Sequence, residues 1–499
     1  VTVTTAGAGT QNGDITVNSA ISWTSDSDLT LRADRNININ QDITATGTTA
    51  KVTLEYGQGS TDGVINGDTA TYDFGMSSSG FAGKINLQAG QNFSTKLGSD
   101  GTPIDYTVIT ALGSVGDETI NPGNSLQGLA YSANLDGNFV LGADIDATST
   151  ASWNSNLGWM AIGKIGVGTE FEGRFDGLGH TITGLKIDKT IRDGAQQPLV
   201  PFADQGVQGL FGATDRASIG NIHLDNASIR ATNNSGALVG YAIDTNIRNV
   251  LVDSTINAQN AIGGVAGSFQ GNMDSVIATV NVLGNTSSLP GVYGVGGLIG
   301  YIYGIGDTHI SNVSTSGTVE GMDYVGGLIG GTPSKYDNTL SNSSSSANVI
   351  AQYEVAGGLV GSNSMVISNS FATGNVTAYF IGRAGGLIGS NDGSLSDVYA
   401  EGIVNGGNSS NIGGLIGENY AAFSRGYATG NVSGGSNLGG LIGLHKSSED
   451  FLGAIEDGDY LVFATGDVTA SQYGSGTYVG GLIGQLMDLA GPLQYMSAS

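Results

Sequence analysis

The chain has 499 residues, of which 84 are glycine and only 12% are charged, and its formal net charge is -26. So few cations exclude a protein that binds a nucleic-acid backbone, because phosphates must be neutralised by Lys or Arg. The absence of Cys excludes disulfides, thiolate metal sites and cysteine nucleophiles, and the 39% of hydrophobic residues exclude a disordered chain.

The first hundred residues are predicted to form short strands. Residues 13–47 contain the bursts ITV, LTL, INI and DIT, which KVTLEYG (51–57) and KINLQAG (84–90) continue. Alternating apolar and polar residues are typical of a strand with one buried face. We assign residues 1–104 to a parallel solenoid with short coils. The start at Val1, without Met or a signal-like segment, predicts a mature product or an excised segment.

The next segment, residues 105–206, has a different rhythm. It carries NFVLGADIDAT (138–148), FEGRFDGLGHTITGLKID (171–188) and two of the three tryptophans. We interpret it as a transition between two kinds of coil. A loop extrusion is expected near residues 190–206, where the strand pattern breaks.

A five-residue word of the type GGLIG dominates residues 207–499, with ten copies at intervals of 26 to 41 residues. Between copies lies a second, alternating word, such as ISNSFATGNVTA (367–378). A unit of about 28 residues cannot bury its own apolar side, whereas stacked units can. The sequence therefore predicts an all-β fold, a right-handed parallel β-helix with one unit per coil.

Two roles are expected for the residues of the repeated word. Its glycines are predicted to supply either a positive φ or close approach of backbones at the coil corners. Its central leucines are predicted to point inward and to stack on the same position one coil away, at Leu210, Leu238, Leu298, Leu328, Leu359, Leu387, Leu415, Leu441 and Leu482. A flexible low-complexity segment would not keep this spacing.

Several of these motifs are similar to those of known families. GGLIG followed by ATGNV resembles the GLUG repeat of bacterial surface proteins. GDITV…LTLRADRNININQDITATG resembles the β-helical shaft of filamentous-haemagglutinin-like exoproteins of two-partner secretion systems, and FEGRFDGLGHTITGLKI is similar to the segment that precedes GLUG repeats in large adhesins of that group. The resemblance implies an adhesin that is exported through an outer-membrane transporter and displayed on a Gram-negative cell.

We therefore expect a secreted, non-enzymatic cell-surface adhesin that attaches by many weak contacts along a rigid β-helical rod. The expected partners are polysaccharide or surface glycans, and a purely structural, self-associating stalk is the alternative. Aromatic rings that bind sugars must be exposed beside polar groups. The candidates in or near turns, which could instead pack at the core edge, are Trp153, Trp159, Tyr301, Tyr303, Tyr353, Tyr379, Phe380, Tyr420 and Tyr473.

A carbohydrate-active enzyme is the main alternative, since parallel β-helices also host polysaccharide lyases and glycosidases. A glycosidase needs two carboxylates across a cleft, and the neighbouring pairs are Asp144 with Asp146, Glu170 with Glu172, and Asp457 with Asp459. With 43 acidic residues, such pairs arise by chance. A lyase would use a cationic base, but residues 231–499 contain only five Lys and Arg. We predict no catalytic residue.

Neither a cofactor nor a zinc site is predicted, because the four histidines lack metal-ligand spacing, and His180 is expected to be structural. Calcium is the one candidate ion, at the acidic clusters 24–28 and 448–459, and solvated surface charge is the alternative. Acceptor sequences for N-glycosylation, which a chain rich in Asn, Ser and Thr also produces by accident, occur at Asn92, Asn226, Asn233, Asn285, Asn312, Asn342, Asn375, Asn408 and Asn431.

Overall fold

A computed structural model describes most of the chain, at residues 1–5, 13–120, 123–190, 206–232, 234–284, 294–303, 306–333, 336–380, 382–408, 410–421, 423–446, 462–471 and 477–487. These residues form many short β-strands and a few short helices, so the prediction of an all-β chain is confirmed. The predicted extrusion near 190–206 lies almost entirely outside them.

The chain divides into two compact units. Unit 1 comprises Val1–Lys186, Asp215–Asp225 and Asn246–Leu251, and unit 2 comprises Ile187–Thr214, Asn226–Thr245 and Val252–Ser499. Unit 1 therefore takes in residues 1–104 together with most of 105–206, two segments that differ in their sequence pattern.

Three parallel ladders of strands make up the first part of unit 1. In most of these strands the buried residues are apolar and join one core, as at Leu29, Leu31, Ile37 and Ile39, whereas the alternate residues are polar and less buried. The first ladder contains Thr2–Thr4, Leu29–Arg32, Val52–Tyr56 and Gly90–Leu97; the second Ile15–Val17, Ile37–Ile39 and Tyr72–Asp73; and the third Ile21–Trp23, Ile43–Ala45 and Ile85–Asn86.

The regular pairing of unit 1 is interrupted after residue 90. Gly90–Leu97 pairs antiparallel with Ile104–Ile109, after which parallel pairing resumes with Asn138–Leu141 and Arg174–Asp176. Ile145–Asp146 pairs in parallel with Thr181–Thr183. One antiparallel hairpin joins Val64–Ile65 to Asp68–Thr69, and a second joins Met76–Ser77 to Gly80–Phe81. The short helices are Asp117–Ile120, Gln127–Ala130, Ser132–Asn134, Thr148–Ser152 and Trp153–Asn156.

Unit 2 repeats one pattern of four strands, each of which belongs to a parallel ladder. Ladder A contains Ala261–Gly263, Gly294–Gly296, Val325–Gly326, Val355–Gly357, Arg383–Gly385, Asn411–Gly413, Asn437–Gly439 and Tyr478–Gly480. Ladder B contains Ile299–Ile302, Ile329–Gly331, Val360–Asn363, Ile388–Asn391, Ile416–Asn419, Ile442–His445 and Ile483–Leu486.

The second word of each repeat forms the other two ladders. Ladder C contains Thr339–Ser341, Val366–Ala372, Leu395–Ala400, Phe423–Ala428 and Val462–Ala464, and ladder D contains Asn348–Ala351, Val376–Ala378, Val404–Asn405, Val432–Gly434 and Val468–Ala470. Seven further strands among the described residues are the short Lys186–Asp188, Phe211–Asp215 and Ser344–Ser345 and the long Ser218–Arg230, Val239–Ala258, Ala266–Gly284 and His309–Gly321.

The repeated word is the corner between ladders A and B. In residues 385–389, Gly385 ends a strand of ladder A and Ile388 begins one of ladder B. Neither Gly385 nor Gly386 has a positive φ; instead, a Cβ on Gly386 would collide with the carbonyl oxygen of Gly414 in the next repeat. Close backbone approach is therefore the role of these glycines. The nine central leucines, from Leu210 to Leu482, are all buried.

The left-handed backbone positions belong to other residues. In four described repeats a non-glycine residue has a positive φ at the bend of ladder C, at Asn342 (50°), Asn369 (48°), Asp397 (56°) and Arg425 (46°). Asn and Asp tolerate this conformation better than other side chains. The strained Arg425 is anchored by two hydrogen bonds from its guanidinium to Asp397, at 2.6 and 2.7 Å.

Buried amides form a further ladder at the end of ladder B strands. The side-chain Nδ2 of Asn363 donates to Oδ1 of Asn391 at 2.8 Å, and Nδ2 of Asn391 donates to Oδ1 of Asn419 at 2.7 Å. His445 continues the series, with its Nδ1 3.0 Å from Nδ2 of Asn419. Because buried amides are costly unless bonded, this series specifies the register of successive repeats.

Candidate functional site

Two of the predicted aromatic residues form an exposed pair in unit 2. Tyr353 and Phe380 follow equivalent strands of ladder D in adjacent repeats, and their rings stack with centroids 5.3 Å apart and an interplanar angle of 21°. Tyr353 is 47% exposed and Phe380 is 50% exposed. We call this pair the aromatic platform. Tyr379, 49% exposed, lies next to Phe380 in the chain.

A polar cleft is lined by residues that neighbour the platform in the chain and by residues of adjacent repeats. Its volume is about 500 Å³, and its lining is Tyr324, Glu354, Gly382, Arg383, Ser410, Asn411, Glu418 and Lys446. Glu354 directly follows Tyr353, and Gly382 and Arg383 come shortly after Phe380. The platform and the cleft thus combine exposed rings with charged, amide and hydroxyl groups.

Glu418 lies at the centre of this cleft, with only 1% of its side chain exposed. Its Oε1 accepts hydrogen bonds from Nζ of Lys446 at 2.7 Å and from the Tyr420 hydroxyl at 2.5 Å. Its Oε2 accepts from Nε of Arg383 and from Nδ2 of Asn411. Arg383, Glu418 and Lys446 come from three successive repeats, so the ion pairs join these repeats.

These contacts keep Glu418 ionised. Burial opposes ionisation, but hydrogen bonds from Lys446 and Tyr420 and the charge of Arg383 outweigh it and lower the pKa of Glu418. Burial and the bond to Glu418 raise the pKa of the Tyr420 hydroxyl. A carboxylate that already accepts four hydrogen bonds is poorly suited to act as a nucleophile or general acid. The cleft is better suited to holding polar groups of a ligand.

The other aromatic candidates lie in different surroundings. The prediction of ligand contact fails for Trp159, which is fully buried and stacks on the partly buried Trp153 at 6.2 Å. Tyr301 is partly buried, and the exposed Tyr303 packs against Tyr241 at 5.6 Å. Tyr420 contributes its hydroxyl to the cleft, whereas Tyr473 is outside the described residues.

A second aromatic series runs along ladder C and was not foreseen from the sequence. Phe371, Tyr399, Tyr427 and Phe463 stack in register with centroids 4.6 to 4.9 Å apart and planes within 4° of parallel. The rings are partly exposed, but the faces of Tyr399 and Tyr427 are covered by their neighbours on both sides. The series therefore stabilises the stack of repeats rather than offering ring faces to a sugar.

The predicted carboxylate pairs are engaged in local contacts. Asp144 bonds to Nζ of Lys84 at 2.7 Å and to Nδ1 of the buried His180 at 3.0 Å, and these bonds lower its pKa against the effect of burial. Asp146 accepts from the Thr148 hydroxyl, which lowers its pKa. Glu170 accepts from the backbone N–H of Gly166, and Glu172 from Arg216, while Asp457 and Asp459 are outside the described residues.

The aspartates of the acidic cluster at 24–28 accept hydrogen bonds from backbone amides. Asp26 accepts from the N–H of Thr49 and Asp28 from that of Lys51, each at 3.0 Å. The cluster at 448–459 is outside the described residues. Of the glycosylation sequences, Asn92 is buried and Asn233 and Asn285 are undescribed; the exposed ones are Asn226, Asn312, Asn342, Asn375, Asn408 and Asn431.

The cleft residues Arg383, Glu418 and Lys446 were not predicted as a site. The signal in the sequence that points to these residues is the scarcity of positive charge. Residues 231–499 contain only five cations, and two of them converge on one buried carboxylate. The sequence separation of 28 to 35 residues, about one repeat, is what brings the three groups together.

Comparisons with known proteins identify one motif and one relative by sequence. Residues 352–377, which include Tyr353, match the GLUG motif. Halomucin from Haloquadratum walsbyi is 35% identical over 134 residues, which is 26% of this chain and 1% of halomucin. The chain thus spans about one hundredth of the curated relative that it matches, and the expected resemblance to the GLUG motif is confirmed over residues 352–377.

Two solved structures show a weak likeness. A putative immunoglobulin A1 protease from Bacteroides ovatus has 18% identity and a TM-score of 0.35, over 60% of this chain and 78% of that chain. An IgA1 protease has 17% identity and a TM-score of 0.38, over 69% of this chain and 24% of that chain. Among the described residues, no helix has the length and apolar character needed to cross a membrane.

Proposed function

We propose that this chain is part of an extracellular, non-enzymatic adhesin that binds glycans at the aromatic platform and the polar cleft. The observation that carries the proposal is the stacked, half-exposed pair Tyr353 and Phe380 beside a cleft of about 500 Å³. Rings of this kind pack against the C–H faces of sugars, while charged and amide groups such as Arg383 and Asn411 fix the hydroxyls.

The repeats of unit 2 supply the support for this surface. In our proposal they are successive coils of a right-handed parallel β-helix that holds binding surfaces away from the cell. Each contact with a polysaccharide is weak, and attachment comes from several contacts made at once. The GLUG motif and the resemblance of residues 13–47 to secreted exoproteins support export to a Gram-negative cell surface.

A glycan array with the full chain, with and without calcium, identifies the ligand. The double variant Tyr353→Ala and Phe380→Ala is then expected to bind that glycan at least tenfold more weakly, which corresponds to a loss of about 1.4 kcal/mol. The matched control is Tyr478→Ala, since Tyr478 is 49% exposed in ladder A but does not belong to the platform. Unchanged binding by the double variant would refute the assignment.

The same samples separate the adhesin from its alternatives. Aggregation of chain-coated beads without any polysaccharide would favour self-association. Glu354 and Glu418 line the same cleft, so an enzyme remains the rival to be tested. Steady shortening of a bound polysaccharide that is lost on Glu354→Gln would establish catalysis, whereas constant polymer length supports the adhesin.

A further inference from the structure

Unit 1 contains a pocket that the predicted adhesion surface does not include. Its volume is about 210 Å³, and the rings of Tyr56, Tyr72 and Tyr106 line it together with Arg174 and Arg248. Pockets for drug-sized molecules measure roughly 300–1,000 Å³. The smaller volume suits one sugar ring.

The pocket is lined both by strands of the regular ladders of unit 1 and by strands of its irregular part. Tyr56 ends the strand Val52–Tyr56, and Tyr106 lies in Ile104–Ile109, the strand that pairs antiparallel. Arg174 begins the strand Arg174–Asp176. The tyrosine rings support one another, since Tyr56 meets Tyr72 edge to face with centroids 5.2 Å apart. These contacts hold the ring surfaces in place before any ligand binds.

The one carboxylate in the pocket lining is committed to internal contacts. Oδ2 of the buried Asp176 accepts from the Tyr72 hydroxyl at 2.5 Å and from Nδ2 of Asn221 at 2.8 Å. Oδ1 accepts from the N–H of Leu178 at 2.7 Å. Burial raises the pKa of Asp176. Because both of its oxygens already accept hydrogen bonds, this group is not available to a ligand.

The two arginines give the pocket a positive character that is unusual in a chain of net charge -26. The guanidinium of Arg248 lies over the Tyr72 ring at 5.2 Å. The side chain of Arg174 is exposed, and within the described part of the chain no carboxylate forms an ion pair with it. An arginine with this freedom can bind a carboxylate through two parallel hydrogen bonds.

We propose that this pocket binds a carboxylated sugar, a uronic acid residue of an acidic polysaccharide, with its carboxylate on Arg174 and its ring against the tyrosines. Tyr56 supplies a hydroxyl donor. Burial, only partly opposed by Arg248, raises the pKa of Tyr56 to about 12, so this hydroxyl stays protonated at neutral pH. The site is independent of the aromatic platform, which consists of other residues in unit 2.

Isothermal titration of the full chain with D-galacturonic acid tests the proposal. Galacturonic acid is expected to bind with a Kd below about 10 mM. D-galactose is expected not to bind in that range, because it has no carboxylate to form two parallel hydrogen bonds with Arg174. Galactose 6-sulfate is the third probe. Tighter binding of the sulfate than of galacturonate would overturn the assignment to a carboxylate.

The variant Arg174→Gln is expected to weaken galacturonate binding at least tenfold, and Arg174→Lys to restore part of it. The matched control is Arg32→Gln, which removes an exposed arginine of unit 1 that pairs with Glu55 at 3.5 Å. Circular dichroism verifies the fold of each variant. No binding by the wild type, or equal binding by wild type and Arg174→Gln, would overturn the proposal. Neither outcome changes the test of the platform, which uses Tyr353 and Phe380.

Discussion

Unit 1 and unit 2 are both built from short parallel strands, but they stabilise these strands in different ways. In unit 2 the same contact recurs at each level, as in the amide series Asn363–Asn391–Asn419 and the stacked rings from Phe371 to Phe463. In unit 1 the side-chain contacts differ from one pair of strands to the next, as in the edge-to-face contact of Tyr56 with Tyr72. A constant repeat length lets the same side-chain contact recur from one repeat to the next, whereas variable lengths bring unlike side chains together, as around the pocket of unit 1.

Replacing Gly386 by Ala is expected to have the largest effect, a loss of about 4 kcal/mol in the free energy of unfolding. The added Cβ would collide with the Gly414 carbonyl oxygen and lie 2.9 Å from Cβ of Ala400. The counterpart in unit 1 is Gly67→Ala, where a Cβ meets no atom within 4 Å and only the φ of 94° is unfavourable, at about 1 kcal/mol. Urea unfolding measures both, and equal losses would contradict the role of close approach.

Replacing Glu418 by Gln is expected to cost about 3 kcal/mol, because Arg383 and Lys446 lose a buried carboxylate. In unit 1 the counterpart is Asp14→Asn, which removes a partly exposed ion pair with Arg35 and is expected to cost less than about 1 kcal/mol. Chemical denaturation at pH 7 gives both values. A similar cost for the two variants would mean that burial does not distinguish these ion pairs.

The pH dependence of stability gives a second measurement on the Glu418 variant. The pKa of Glu418 is lower in the folded chain than the unfolded value of about 4.3. Its contribution is therefore fully present above that value and is lost as the pH falls through the folded pKa. The wild type should lose more stability than Glu418→Gln when acidified below about pH 4.

The variant His445→Asn tests the last member of the amide series through the pH dependence of stability. Burial lowers the pKa of His445 to about 4, below the unfolded value of 6.5. The folded chain therefore loses stability as the pH falls from about 6.5 toward 4, by about 3 kcal/mol. An uncharged Asn should remove this loss and continue the series. Thermal unfolding between pH 4 and 7 is the measurement, and an unchanged slope would contradict it.

The smallest expected difference in stability is that between Asn391→Ala in unit 2 and Asn40→Ala in unit 1. Asn391 is fully buried and bonds to the amides on both sides, so its loss is expected to cost about 1.5 kcal/mol. In unit 1, Nδ2 of Asn40 donates to Oδ1 of Asn18 at 2.9 Å in contact with solvent, and its loss should cost less than about 0.5 kcal/mol. Thermal midpoints at equal protein concentration show whether the order is reversed.

Much of the fold could be predicted from the sequence because its signal is local and repeated. The apolar alternation of ITV, LTL and INI corresponds to the strands Ile15–Val17, Leu29–Arg32 and Ile37–Ile39. The sequence of the repeated word allowed its glycines either a positive φ or a close approach of backbones. Only the distances between adjacent repeats decide between these two roles.

The candidate site could be predicted only in part. Exposed aromatic residues in turns pointed to Tyr353, Tyr379 and Phe380, but the same criterion included the buried Trp159. Spacing cannot distinguish an exposed turn from one covered by another segment. The cleft around Glu418 depends on charges from three repeats, and the pocket of unit 1 depends on Tyr106 meeting Tyr56 and Arg174 across an irregular pairing. Such contacts have no short sequence signature.

The stacked rings of ladder C and the tryptophans give the molecule two separate optical reporters. Tyr399 and Tyr427 lie 4.9 Å apart with nearly parallel rings, a geometry in which their electronic transitions couple and produce a near-ultraviolet circular dichroism band. All three tryptophans, Trp23, Trp153 and Trp159, belong to unit 1, so indole fluorescence reports on that unit alone. One unlabelled sample can therefore show whether the two units unfold together or in sequence.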